Sequence, residues 1–193
     1  MNYFISQFGN PRGVIGKVFA KMMNVSNKKM YAANLTPLSR KTASVLEIGF
    51  GNGKQIELIK TRYPECAVYG IDMSEEMYKA AGKRLGNRAV LTLGRAESLP
   101  YEDNMFDVVM TTDTCYFWDD PDKVLSEIRR TLKNKGLFVN SYNTMYASSV
   151  KRSRCDALSD DASIIAAAER HGLTIVSASK TGMSERQIIM KKG

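Results

Sequence analysis

Val45-Leu46-Glu47-Ile48-Gly49-Phe50-Gly51-Asn52-Gly53, with Ile71-Asp72 about twenty residues later, is the stretch that decides how this chain folds. The apolar run Val45, Leu46, Ile48 has the length of a buried strand, and an acid and three alternating glycines close it. Glycine has no Cβ, so such a loop turns sharply into a helix and leaves its backbone open to a ligand. Asp72 closes a second apolar run, Ala67-Val68-Tyr69-Gly70-Ile71. A carboxylate at the end of the second strand of such a unit is placed to accept both hydroxyls of a ribose.

The spacing separates two classes of ligand. A dinucleotide fingerprint reads G-x-G-x-x-G, whereas Gly49, Gly51 and Gly53 read G-x-G-x-G and Glu47 stands on the strand before them. A pyrophosphate seeks free N–H groups at a helix N-terminus and is repelled by a carboxylate. A positively charged ligand is attracted by one. The acid-first loop resembles the Asp/Glu-x-Gly-x-Gly-x-Gly motif of class I S-adenosylmethionine-dependent methyltransferases, whose donor carries a sulfonium and an ammonium. A plain strand–turn–helix, with the glycines serving geometry alone, is the other reading of these residues. The resemblance implies S-adenosylmethionine as the cofactor. Glu47 would hold its amino group, Gly49, Gly51 and Gly53 would admit its backbone approach, Asp72 would take the ribose, and Met73 would cover the adenine.

From residue 44 onward, short apolar runs alternate with helical patterns, the signature of a parallel sheet with crossover helices. Strands are expected at 44–49, 67–72, 89–93, 106–111, 137–141, 173–177 and 187–190, and helices at 52–62, 74–86, 121–133 and 160–171. Ser74 is a good N-cap for the second of these helices. Lys133-Asn134-Lys135-Gly136 reads as a turn, and residues 144–159 as a link. The class is α/β. The family resemblance implies a Rossmann-like, doubly wound seven-stranded sheet in the order 3-2-1-4-5-7-6, its last strand antiparallel and helices on both faces. Upstream, residues 13–24 and 27–34 fit two helices. The expected organisation is a helical arm or lid over 1–43 and a methyltransferase domain over 44–193.

Two further stretches carry chemistry. Gly94-Arg95-Ala96-Glu97-Ser98-Leu99-Pro100-Tyr101, followed by Phe106-Asp107, resembles a stretch of the methyltransferases similar to those of quinone biosynthesis. That likeness implies adenine contact at Ala96 and Glu97. Arg95 stands where the family commonly has Asp, and a guanidinium cannot accept the adenine amino hydrogens. The second stretch, Thr111-Thr112-Asp113-Thr114-Cys115-Tyr116-Phe117-Trp118, follows the fourth strand. In a doubly wound sheet, ligands bind beyond the C-terminal strand ends where the order reverses. Thr111 and Thr112 are therefore expected beside the donor. Tyr116, Phe117 and Trp118 are expected near the transferable methyl, with burial in the core as the other reading of Phe117 and Trp118. Asp113 and Tyr116 are the candidates to take a proton from the acceptor. His171, the single histidine, sits before Gly172 and reads as a helix C-cap rather than a base.

The 193 residues fit one domain, and their net charge of +8 is unevenly placed. Residues 1–46 hold Arg12, Lys17, Lys21, Lys28, Lys29, Arg40 and Lys41 and no acid, and Lys151, Arg152 and Arg154 form a second basic run. The two clusters suggest a small anionic acceptor such as a carboxylate or phosphate ester, and a solvated surface is the other reading. Cys66, Cys115 and Cys155 show neither a disulfide framework nor zinc spacing, so no metal is expected. The N-terminus lacks the pattern of a secretory signal, and the sequence has no apolar stretch of membrane-spanning length. A cytoplasmic protein is the expectation. There is no Asn/Asp-Pro-Pro-aromatic stretch after the fourth strand and no Pro-Cys pair, which in this superfamily mark nucleic-acid methylation. The expected function is methyl transfer to a small molecule by in-line displacement. The rival is a non-catalytic module whose basic arm holds RNA, an anionic membrane or a protein.

Overall fold

A computed structural model describes residue 25, residues 27–151 and residues 158–193. The expected helix at 13–24, the basic residues Arg12, Lys17, Lys21, Arg152 and Arg154, the Lys151 side chain and Cys155 lie outside the described residues. Helix α1 (Lys28–Asn34) precedes β1 (Ser44–Ile48), α2 (Lys54–Arg62), β2 (Ala67–Asp72), α3 (Glu75–Leu85), β3 (Val90–Leu93) and β4 (Phe106–Thr112). A short 3-10 turn (Cys115–Phe117) leads to α4 (Pro121–Thr131), β5 (Leu132–Asn143), α5 (Thr144–Lys151), α6 (Asp161–Arg170), β6 (Leu173–Lys180) and β7 (Glu185–Lys192). The seven strands form one sheet in the order β3-β2-β1-β4-β5-β7-β6. β7 runs antiparallel to β5 and β6, and the other pairs are parallel.

Side chains alternate across a strand, so each central strand feeds two cores. Leu46, Val109 and Phe138 pack with α4 and α6 residues such as Leu125, Ile128 and Ile164. Their neighbours Val45, Val108 and Val139 face the other way, against Ile56 and Ile59 of α2 and Ala81 and Leu85 of α3. Every residue of β1 is buried, as befits the centre of a parallel sheet. Ser74 caps α3, its hydroxyl accepting from the Met77 N–H. His171 is the C-cap of α6, and its Nε2 lies 2.9 Å from Asp122 Oδ1.

Two local details differ from the sequence-based expectation. β5 begins at Leu132, so residues 133–136 form an irregularity within the strand rather than a turn before it. Its register against β4 shifts between Phe106 and Val108, and Lys135 has a φ of 65°. The link at 144–159 contains helix α5, whose Ala147 and Val150 are buried three residues apart. Eight residues with two serines carry too weak a periodic signal to announce that helix.

Helix α1 sits over the end of the sheet with two side chains buried, Met30 and Asn34, and Asn34 supplies its polar anchor. Asn34 donates from Nδ2 to Gln55 Oε1 (3.1 Å) and Thr112 Oγ1 (2.9 Å). Its Oδ1 accepts from Ser141 Oγ (2.5 Å) and Gln187 Nε2 (2.9 Å). One amide thereby ties α1 to α2, β4, β5 and β7. Buried polar groups demand such partners, so the network fixes where α1 lies.

Candidate functional site

β1 and β4 are neighbours at the point where strand order reverses, and a cleft opens beyond their C-terminal ends. It encloses about 1000 Å³ of empty space, partly continuous with solvent. The glycine loop forms its floor, and its three glycines, all at positive φ, differ in what a side chain would meet. A Cβ on Gly49 would lie 2.3 Å from Thr114 Cγ2, and one on Gly53 would lie 2.9 Å from Leu85 Cδ1, so both are held to glycine by packing. A Cβ on Gly51 would meet no protein atom within 4 Å, yet Gly51 lines the cleft with φ at 54°. That cradle leaves room for a ligand against the backbone.

Two carboxyls stand over this floor. Asp72 Oδ2 accepts from the Gly51 N–H and Oδ1 from the Ser74 N–H, both at 2.8 Å. Burial pushes its pKa up to about 6 against those bonds. Glu47 is 2% exposed, and its Oε2 is buried without a hydrogen-bond partner. Burial first, then the nearby Asp72, raises its pKa well above the usual range. A buried carboxyl with an unfilled acceptor position fits a cationic donor group.

The opposite wall is built from β4 and α1. Asp113 has a φ of 57°, a left-handed conformation that Asp and Asn tolerate better than other side chains. Its N–H donates to Ser141 O (2.9 Å). Oδ1 accepts from the Tyr116 O–H (2.9 Å) and the Asn143 N–H (2.7 Å), while Oδ2 is buried without a hydrogen bond. Burial raises the Asp113 pKa to about 6. Burial, with Asp113 beside it, raises Tyr116 far more, so that phenol keeps its proton and orients the carboxylate. Asn27 and Tyr31 complete the wall from α1. Burial, then Glu47 and Asp113, raises the Tyr31 phenol.

Glu47, Gly49, Gly51, Asp72, Met73, Ala96, Glu97, Thr112 and Asp113 thus line one cleft, with Phe117 and Trp118. Gly53, Thr111 and Tyr116 stand behind its lining. Gly53 packs on α3, Thr111 donates to Ile48 O (3.1 Å), and Tyr116 is 1% exposed in the core. Arg95 bridges the rim by pairing with Glu97 (3.3 Å) and with Asp119. Asn27 and Tyr31 lie at the end of the N-terminal arm expected over the cleft, although neither was singled out as a site residue. Their signal was present: Asn27, Tyr31 and Asn34 recur at helical spacing and so share one face of α1. Among the described residues, no group of acids, histidines and cysteines could hold a metal. No helix among them is long and apolar enough to cross a membrane.

Residues 46–140 match the family described as Methyltransferase domain. Over 98 residues the chain is 33% identical to the malonyl-[acyl-carrier protein] O-methyltransferase of Geobacter sulfurreducens, covering 50% of this chain and 37% of that protein. Over 95 residues it is 35% identical to the demethylmenaquinone methyltransferase of Thermotoga maritima, covering 49% and 41%. The chain therefore spans about two fifths of these relatives. A solved S-adenosylmethionine-dependent methyltransferase from Aquifex aeolicus superposes with a TM-score of 0.73 at 16% identity, over 91% of this chain and 98% of that one. The chain has the class I methyltransferase fold and is related in sequence to bacterial methyltransferases through the segment that builds the cleft.

Proposed function

We propose that the chain is an S-adenosylmethionine-dependent methyltransferase acting on a small molecule. The observation that carries this reading is that one cleft is lined by Gly51, where a side chain would meet no protein atom, and by Glu47, whose buried Oε2 has no hydrogen-bond partner. When bound, S-adenosylmethionine supplies a methyl group on a sulfonium, open to displacement by an in-line nucleophile. Glu47 would receive its amino group and Asp72 its ribose hydroxyls, with the Asp72 carboxylate already aimed by the Gly51 and Ser74 N–H groups. Met73, Ala96 and Glu97 would border the adenine.

What remains for the protein is to hold the acceptor in line and keep water away, largely a matter of positioning. Asp113 is the group able to take a proton, at Oδ2, and Tyr116 would act through it. The stretch shared with the quinone-biosynthesis type borders the adenine side of the cleft and does not select an acceptor.

Incubation with methyl-labelled donor and fractionated metabolite extracts tests the reading. Label should enter a small molecule and be lost with Asp72→Ala. Donor binding without transfer to any fraction would favour the non-catalytic module.

A further inference from the structure

The acceptor wall carries a charge that nothing among the described residues around it neutralises. Asp113 is 2% exposed and lines the cleft, and its side-chain hydrogen-bond partners are neutral: the Tyr116 O–H, the Asn143 N–H and the Asn27 side chain. Asn27 and Tyr31 of α1 flank it, and Glu185 of β7 adds negative potential. Among the described residues no Lys or Arg pairs with it. The one cation in the cleft lining, Arg95, is committed to Glu97 and Asp119, and Glu47 and Asp72 belong to the donor side.

We infer that the acceptor is an amine on an apolar body, captured as its ammonium by Asp113 Oδ2. This rests on the donor-site reading above. A buried carboxylate without a counter-ion is costly, and a ligand that brings the missing positive charge recovers that cost. An anionic acceptor would meet an unneutralised carboxylate. An alcohol would leave its charge uncompensated. Tyr31, Phe117 and Trp118 in the same lining offer aromatic faces to an apolar, cationic ligand. The left-handed backbone at Asp113 is a local strain, of the kind that persists where a side chain must be held at one point. An ammonium has no free electron pair. One proton must pass from its nitrogen to Asp113 Oδ2, leaving a neutral amine beside a neutral carboxyl until solvent takes the proton.

The test titrates three probes of one shape, 2-phenylethylamine, 2-phenylethanol and phenylacetate, into protein saturated with S-adenosylhomocysteine. Wild type is compared with Asp113→Asn. Asparagine keeps an Oδ1 for Tyr116 and Asn143 and tolerates the positive φ, so the fold should stand, and its Tm checks this. The amine should bind wild type at least tenfold more tightly than the alcohol, phenylacetate more weakly still, and the variant should erase the preference. An amine no tighter than the alcohol, a preference for phenylacetate, or an amine preference unchanged in the variant would overturn the inference. Failure of S-adenosylhomocysteine itself to bind would defeat the donor reading as well. Its binding without an amine preference defeats the inference alone.

Discussion

The two walls of the cleft are built by different means. On the proposed donor side, one continuous segment supplies β1, the glycine loop and the start of α2, and Asp72 arrives with both oxygens already engaged by backbone N–H groups. On the proposed acceptor side, Asn27 is the N-cap of α1, Tyr31 comes from that helix, Asp113 directly follows β4, and Phe117 comes from the 3-10 turn. Asp113 keeps one oxygen unfilled. The donor wall is preorganised by local backbone. The proposed acceptor wall depends on how well a separate helix is seated, by the buried Met30 and by the Asn34 amide. A rigid half of this kind suits a ligand common to many enzymes, and an assembled half suits one that varies.

The sharpest way to break this comparison lies within the loop itself. Gly49→Ala drives a methyl into Thr114 at a positive φ, and should destabilise the fold by about 3 kcal/mol. Gly51→Ala meets no protein atom, so only the backbone term of about 1–2 kcal/mol should appear in its stability, with a loss of donor affinity as the methyl occupies the cleft. Urea denaturation and calorimetric titration of both variants separate the two. Equal stability losses would mean that the loop glycines serve geometry alone.

Asn34→Ala probes the other wall. It leaves Ser141 and Gln187 each short of a buried partner, while Thr112 keeps its bond to Gln55 and Gln55 its bond to Met110 Sδ. The expected cost is about 2 kcal/mol of stability. Donor affinity should change little, because Glu47, Gly51 and Asp72 do not depend on that amide. A large loss of donor affinity at unchanged stability would show that the two walls are not separable.

A smaller effect should appear with pH. Burial raises Asp72 and Asp113 from 3.8 to about 6, so the folded state holds protons more tightly than the unfolded chain between about pH 4 and pH 6. Their contribution is fully present below that window and is lost as pH rises through 6. Carboxylates held low by partners act in the opposite sense at lower pH, as Glu127 does through Arg130. The Tm of the ligand-free protein should therefore be higher near pH 5 than at pH 7.5, and Asp113→Asn should flatten part of the rise. A Tm that climbs from pH 5 to 7.5 would contradict the burial of these acids.

The same contrast governs what the sequence disclosed. The positions of the parallel strands and the Ser74 cap were legible because each is written in a short contiguous pattern whose geometry is local, whereas the strand order came with the family resemblance. Gly53 and Thr111 carried the right motif positions but face inward, since a motif marks a loop and not which of its atoms meets the cleft. Tyr116 was read as cleft-facing because it follows β4, and the 3-10 turn instead rotates it into the core beneath Asp113. Asn27 and Tyr31 were covered only by the general expectation of an N-terminal arm: their helical spacing marks a shared face, but what that face meets depends on Asn34 finding Ser141 and Gln187, which lie 107 and 153 residues away in sequence. Long-range polar networks leave no periodic trace.

The central claim is that the cleft over Gly51 and Asp72 is the donor site, and calorimetric titration with S-adenosylhomocysteine tests it most directly. Wild type should bind in the micromolar range, about −8 kcal/mol. Asp72→Ala should weaken binding by about 1.5–3 kcal/mol, the loss of hydrogen bonds to a charged group. No measurable heat at millimolar ligand, or equal affinity in wild type and variant, would contradict the account.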